Sequence, residues 1–521
     1  MILLKTNVSD YDNDICSMLM AFFFGEKIVN SDEAAEKIAK HKADYNFNTE
    51  LLLELNAYFD IEKTNIIISE TTTAKKYETQ ISGDYRDRNV YRNSFKIALY
   101  RLLSEITGRK LPWGDLTGVR PTKIALKLLR SGSSYDDTID NYIKTYDVSR
   151  RKAELATQVA TRELELIKYL DLENSYCLYV GIPFCPSRCL YCSFTSYPIA
   201  QNKDKVDKYL DRLCDEISIV ADRYRDKKLV AIYIGGGTPT SLNHIQLDRL
   251  LTHIDEVFSL GDKIDKSCIK GEDIDKTVGT SYDKDNWLHN LLEYTIEAGR
   301  PDSITKEKLE VMKSHHITRI SINPQTMNDE TLKTIGRAHT ATQVEKAFFL
   351  ARELGFDNIN MDIIAGLVGE DLSMMEHTLD AIKKLKPDSL TIHSLAIKRA
   401  ARLNEKMDEY KGEINHDMNE MLDMVSDAAN NLGMSPYYLY RQKNIGGNLE
   451  NVGYSSSGKE CLYNVLIMEE LTDIIAVGAG SSSKYVIRDD EGNVIRIDRS
   501  ENCKSIDDYI DRFDEMIGRK R

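Results

Sequence analysis

Between residue 176 and about residue 395 the chain alternates short β-type runs with long amphipathic helical patterns. Neighbouring strands that pair in parallel need a long crossover between them, and a helix is the usual one, so this rhythm commits the segment to parallel βα units. Side chains alternate faces along a strand, which divides each run into two sets. In CLYVGIP, Tyr179 and Gly181 oppose Leu178, Val180 and Ile182; in EYTIEAG, Thr295 and Glu297 oppose Tyr294 and Ile296. In ITRISINPQ the polar set is Arg319, Ser321 and Asn323; in DNINMDII it is Asn358, Asn360 and Asp362; in DSLTIHS it is Ser389, Thr391 and His393. Helices flanking the crossovers cover the outer face of such a sheet. A closed barrel fills its lumen with branched apolar residues, so polar inner faces predict an open α/β barrel of partial (β/α)6 type, lined for a large ligand.

A chain of 521 residues exceeds one ordinary core, and two or three folding units are expected. The predicted division is an N-terminal α+β domain over 1–105, a helical linker arm over 106–172, the barrel over 173–405, and a C-terminal mixed α/β extension over 406–521 that covers the substrate. The polar stretch 259–286 is expected to be an exposed insertion. Lysine and arginine total 69 against 83 acids, a net charge of −14, which disfavours a nucleic-acid partner or an anionic membrane surface. No apolar run reaches the ~18 residues of a membrane span, and acids occupy the start where a signal peptide needs an apolar region. A cytoplasmic protein is expected. Nine cysteines, an odd number and mostly scattered, do not form a disulfide framework.

Cys185, Cys189 and Cys192 stand at C-x3-C-x2-C spacing on the loop directly after CLYVGIP. A structural zinc site wants four closed ligands, and the loop supplies no fourth. Cys189 and Cys192 alone make a C-x-x-C dithiol, which leaves Cys185 without a role. A [4Fe–4S] cluster uses all three, because three thiolates leave one iron open to a substrate or cofactor.

The surrounding sequence, YVGIPFCPSRCLYCSF, resembles the signature of radical S-adenosylmethionine (SAM) enzymes, and specifically the oxygen-independent coproporphyrinogen III oxidase family. GGGTPTSL, TIEAGRPDSI, RISINPQTMNDETLKTIGRAHT and NMDIIAGL extend the likeness to about residue 500, and LPWGDLTGVRPTK is typical of the longer coproporphyrinogen dehydrogenase (HemZ-type) branch. The resemblance implies a [4Fe–4S] cluster on the three cysteines, one or two SAM molecules, and a low-potential donor of flavodoxin or ferredoxin type. It also implies a reaction, the oxidative decarboxylation of two propionates of coproporphyrinogen III or a related tetrapyrrole to vinyls. By the same resemblance the SAM contacts are Tyr179, Tyr191, Gly236, Gly237, Thr238, Glu297, Gln325, Arg337, Asp362 and Ile364, with Tyr179 and Glu297 as the catalytic candidates.

Physical chemistry fits several of these assignments. Glycines without Cβ let backbone approach a ligand, a carboxylate accepts from an ammonium, and a guanidinium clamps a carboxylate. For the propionates, Lys398, Arg399 and Arg402 of HSLAIKRAARL and Arg441 of YYLYRQKN are the expected cations, with Lys443 nearby. Three positions depart from the family pattern. Phe194 replaces a fourth cysteine, Gly181 replaces a histidine, and Glu450 stands before Asn451 where haem-chaperone relatives carry His-Asn.

Overall fold

The computed structural model describes residues 1–30, 51–260, 291–398, 401–405, 407–410, 417–442 and 446–521. Most of the insertion expected at 259–286, together with Arg399 and Lys443, lies outside the described residues. The chain forms two compact units, Met1–Thr157 with Tyr440–Glu450, and Gln158–Leu439 with Asn451–Arg521.

In the first unit a five-stranded sheet has the order Ile28–Asn30, Ile2–Thr6, Leu53–Phe59, Lys63–Glu70, Lys76–Ser82. The first three strands run parallel and the last two continue as an antiparallel meander. Alternate residues Leu53, Leu55, Ala57 and Phe59 point into one core with Ile66 and Ile68, the pattern expected when only one sheet face is covered. Helices Asp12–Phe22 and Arg88–Thr107 supply the other half of that core through Ile15, Leu19, Phe95 and Leu99.

Further along the same unit Trp113 is fully buried and donates its indole N–H to Glu450 Oε2 at 2.6 Å. The other carboxylate oxygen pairs with buried Lys152 at 2.7 Å. Arg441 lies over the Trp113 ring and donates to the carbonyls of Leu116, Gly118 and Asn448. A buried cation with its donors taken by backbone carbonyls is a structural clamp. Arg441, expected from sequence to grip a substrate carboxylate, is a residue 2% exposed whose donors these carbonyls take.

The second unit is built on an open sheet whose centre is six parallel strands: Ser175–Ile182, Lys228–Gly236, Glu293–Glu297, Arg319–Ser321, Ile359–Ala365 and Ser389–Ser394. All five pairings between successive strands are parallel, each joined by a crossover. That is the partial (β/α)6 barrel, open because its terminal strands pair with added elements instead of with each other. Glu450–Ser455 adds antiparallel at one edge, and Asp473–Val477 adds parallel beside the first strand at the other. The helices bury one stripe each. Lys203–Arg223, for example, buries Val206, Tyr209, Leu210, Leu213, Ile217 and Val220 at i, i+3, i+4 spacing, so the outer sheet face is dry.

Residues 473–521 are bolted to the barrel by a buried polar network. Lys520 Nζ lies 3.1 Å from Glu216 Oε1, and Tyr509 donates its hydroxyl to Glu216 Oε2 at 2.5 Å. The Gly478 N–H donates to the same carboxylate at 2.7 Å and Asn502 Nδ2 at 2.8 Å. Beside it, Tyr209 donates to the Gly181 carbonyl at 2.7 Å, which fixes the end of the strand that leads into the cysteine loop. Gly181 leaves room for this, since an added Cβ would sit 3.2 Å from the Val477 carbonyl.

Candidate functional site

Within the barrel strands nearly every side chain is buried, and five exceptions keep to one face, stepping along the strands from Tyr233 to His393. Tyr179, Glu297, Asp362 and His393 are each the one half-buried residue of an otherwise buried strand, and Tyr233 is the half-buried residue inside the strand Lys228–Gly236, whose two end residues are also half-buried. Tyr179 stands opposite Tyr233 in the first strand pair. These five side chains line the concave interior, where the polar faces were expected.

Glu297 is the charged centre of this row. Tyr233 donates to its Oε1 at 2.6 Å. Its other oxygen crowds the glycine turn, 3.0 Å from where a Cβ on Gly235 would stand, so a side chain there would have to displace Glu297 and Tyr233. Loss of solvent in the interior pushes the Glu297 carboxyl up to about 7, against the lowering effect of the Tyr233 hydroxyl. A carboxyl held this way is ionised at little cost once a cation arrives. Asp362 differs. Burial opposes its ionisation, but His393, 3.8 Å away, and Asn360, donating at 2.6 Å, bring it below the usual carboxylate range.

Tyrosine rings form the floor. Tyr233 stacks on Tyr463 at 4.5 Å between centroids, and Tyr179 lies 6.2 Å from Tyr463. Tyr463 reaches the lumen because its helix, Leu462–Glu469, starts by donating the Leu462 N–H to buried Glu293 at 2.5 Å. Neither Tyr233 nor Tyr463 was singled out from sequence. Their partners lie tens to hundreds of residues away, and no local pattern announces them.

Above the row sits the cysteine loop. Cys185 and Cys189 are buried and Cys192 is half-buried. Glycine turn and loop are locked together, with Gly237 N–H donating to the Ile182 carbonyl and Thr238 N–H to the Phe184 carbonyl, both at 2.8 Å. The Thr238 hydroxyl lies 3.5 Å from Cys185 Sγ. On the far side Leu190 N–H donates to the Ile335 carbonyl at 3.0 Å, and Ser187 Oγ to the Gly336 carbonyl at 3.1 Å. This brings in Arg337, which donates to the Tyr191 hydroxyl at 2.9 Å and the Gly299 carbonyl at 3.1 Å. Its Nε is buried with no hydrogen-bond partner among the described residues, a donor waiting for an acceptor.

Gln325 and Ile364 are tied by backbone. Gln325 N–H donates to the Asp362 carbonyl and Ile364 N–H to the Gln325 carbonyl, each at 2.9 Å. Gln325 holds a left-handed φ of 67°, a conformation that costs a non-glycine residue energy and that concentrates at ligand sites.

Do these residues suit an iron–sulfur cluster and a sulfonium nucleotide? Burial raises Cys185 to about 11 and pushes Cys192 up as well, and a cationic centre would make thiolates of them. Among the described residues no three Cys, His, Asp or Glu side chains converge on one point as a single ion requires. A cubane takes its thiolates at separate iron corners. The Gly237 position is cut to the loop, as a Cβ there would lie 3.0 Å from Cys185 Sγ. One carboxylate and one guanidinium with an open donor flank the opening, the complement of an amino acid's two ends. The donor set fits.

An open parallel sheet with a three-thiol loop over a polar lumen is the radical SAM architecture, and residues 179–382 match the family model described as the Radical SAM superfamily. Members of that superfamily use a [4Fe–4S] cluster and S-adenosylmethionine. The chain is 37% identical over 456 residues to the oxygen-independent coproporphyrinogen-III oxidase-like protein HemZ of Bacillus subtilis (strain 168), covering 86% of this chain and 85% of that one. It belongs to the HemZ family. The heme chaperone HemW of the same organism is 33% identical over 219 residues, 42% of this chain and 50% of that protein. Among solved structures, coproporphyrinogen III oxidase (HemN) of Escherichia coli aligns at a TM-score of 0.48 and 21% identity, covering 68% and 72% of the two chains. No helix among the described residues is long and apolar enough to cross a membrane.

Of the expected substrate cations, Arg402 directly precedes Leu403, whose N–H donates to the Leu190 carbonyl of the loop at 2.9 Å. Lys398 Nζ lies 5.7 Å from the ring centroid of Phe194, two residues beyond Cys192. Sequence reasoning missed Arg300, inside the quoted TIEAGRPDSI run, whose guanidinium reaches Cys189.

Proposed function

We propose that the protein carries out the oxygen-independent oxidative decarboxylation of coproporphyrinogen III to protoporphyrinogen IX. The observation that carries this reading is the Leu403 to Leu190 hydrogen bond, which ties the residue next to Arg402 to the cysteine loop in a chain related to HemZ over most of its length. When bound, the cluster and SAM supply a carbon-centred radical by one-electron cleavage of the sulfonium. The chain's own residues bind and orient. Cys185, Cys189 and Cys192 would hold the cluster. Glu297 accepts from the SAM amino group, beside the backbone of Gly236, Gly237 and Thr238, and Arg337 pairs with the SAM carboxylate through its open Nε. Tyr179, Tyr191, Gln325, Asp362 and Ile364 line the nucleotide, and the stacked tyrosines close the lumen to water. Lys398 and Arg402 receive propionates of the tetrapyrrole, bringing a propionate Cβ–H toward the radical. A low-potential flavodoxin- or ferredoxin-type protein would supply one electron per SAM, and each reacting propionate would lose its carboxylate as CO2 while the remaining electron passes to a one-electron acceptor.

The deciding assay is anaerobic turnover of reconstituted protein with SAM, coproporphyrinogen III and a low-potential reductant, reading 5′-deoxyadenosine and protoporphyrinogen together. Both products support the reading. Deoxyadenosine without porphyrin product points to another substrate, and a haem Soret band on titration with no turnover points to haem delivery. In the doubly charge-reversed variant Lys398→Glu/Arg402→Glu, the porphyrinogen KM rises while SAM affinity holds.

A further inference from the structure

Arg300 follows the strand Glu293–Glu297 at the head of the turn Pro301–Ser303, and its side chain is 3% exposed. Two of its nitrogens form a fork on Asp302, Nε to Oδ1 and Nη2 to Oδ2, both at 3.0 Å. Asp302 is braced in turn by His339, whose Nδ1 lies 3.7 Å from Oδ1. That fork alone would satisfy a buried guanidinium electrostatically. The third nitrogen does something else. Nη1 donates to Ser187 Oγ at 3.0 Å and to the Ser187 carbonyl at 3.3 Å, and stands 3.7 Å from Cys189 Sγ. The cation is therefore aimed, by a fixed partner, at the one stretch of loop that separates Cys185 from Cys189.

We propose that Arg300 is a positioning residue of the cysteine loop, which holds the Ser187 to Cys189 arm and sets the reduction potential of the centre bound there through an N–H donated to the Cys189 sulfur. A donor on a thiolate withdraws negative charge from sulfur and favours the more negative, reduced cluster, so its presence raises the potential. Lysine keeps the charge but cannot fork Asp302 and reach the loop at once.

This inference rests on the reading of the three thiols as cluster ligands, and the test separates the two. Parent, Arg300→Gln, Arg300→Lys and Asp302→Asn proteins are reconstituted anaerobically with iron and sulfide. Bound iron, the EPR spectrum of the reduced cluster and its midpoint potential under a low-potential chemical reductant are then measured. In Arg300→Gln the reduction equilibrium shifts toward the oxidised form by about tenfold, which for one electron is about 59 mV. Arg300→Lys recovers part of the shift, and Asp302→Asn moves the same way by less, with an altered EPR line shape. Potentials and spectra that overlie the parent's in Arg300→Gln and Asp302→Asn would overturn the proposal. Should Arg300→Gln fail to fold, unchanged potentials in the other two variants overturn it equally. A parent that forms no cubane signal defeats the thiol reading instead.

Discussion

Tyr233 and Glu297 sit on neighbouring parallel strands, and the tyrosine hydroxyl donates to the carboxylate at 2.6 Å while its ring is clamped against Tyr463. The pair has a consequence for pH. Glu297 titrates near 7 because burial raises it. Its attraction for an ammonium is present above that pH and lost below it, so the Kd for SAM should rise about tenfold per unit as pH falls below 7. Tyr233→Phe removes a bond that lowers the carboxyl, and the midpoint of this dependence should move upward. Glu297→Gln should abolish it. Equilibrium binding of SAM to reconstituted protein between pH 6 and 9 reads all three.

Gly237 tests the seat of the loop. An added Cβ would meet the Phe184 carbonyl at 2.6 Å, and that backbone has no freedom to give, since Thr238 and Ser241 donate to the same oxygen. Gly237→Ala should cost about 1–3 kcal/mol by overpacking and displace Cys185. Reconstituted iron per chain should fall well below the parent's, with far-UV circular dichroism little changed.

The Glu216 network should govern the stability of the second unit. Lys520→Met leaves Glu216 buried without its cation, and losing one partner of a buried pair costs about 3–5 kcal/mol. Tyr509→Phe removes one hydrogen bond from the same carboxylate and should cost about 1.5–3 kcal/mol. Shifts of the urea midpoint, followed by fluorescence, check the order of the two.

His315 lies between Asp255, 2.7 Å from Nδ1, and Asp248, 2.9 Å from Nε2. Burial lowers its pKa, but the two carboxylates outweigh that and raise it above 6.5. The stabilisation is fully present below the unfolded value and is lost as pH rises through the folded one. The thermal midpoint should decline through that window in the parent and decline less in His315→Gln.

In the first unit, Glu450→Ala should strip Trp113 and Lys152 of a shared buried acceptor, costing about 3–5 kcal/mol. Tryptophan fluorescence should redshift at rest, and unfolding should begin at lower urea.

The barrel was legible because its signal is local and repetitive. Alternation of β-type and helical runs fixes parallel crossovers, and period two within EYTIEAG already puts Glu297 on the polar face. What stayed hidden is held by contacts between distant residues. Arg300 lies 111 residues from Cys189, and Tyr463 joins its stack by way of Glu293, 169 residues upstream of Leu462. The surroundings of Arg441 were hidden for a related reason. A run of cations suggests a solvated or ligand-facing surface, yet three backbone carbonyls and an indole ring claim this one, and carbonyl geometry leaves no trace in composition.

Tyr463 lies far downstream of the strands whose rings it covers. A ribosome that has made every cysteine of the loop and all six barrel strands has still not made the ring that completes the floor with Tyr179 and Tyr233. The stack therefore closes only after Tyr463 has emerged and its helix has docked on Glu293.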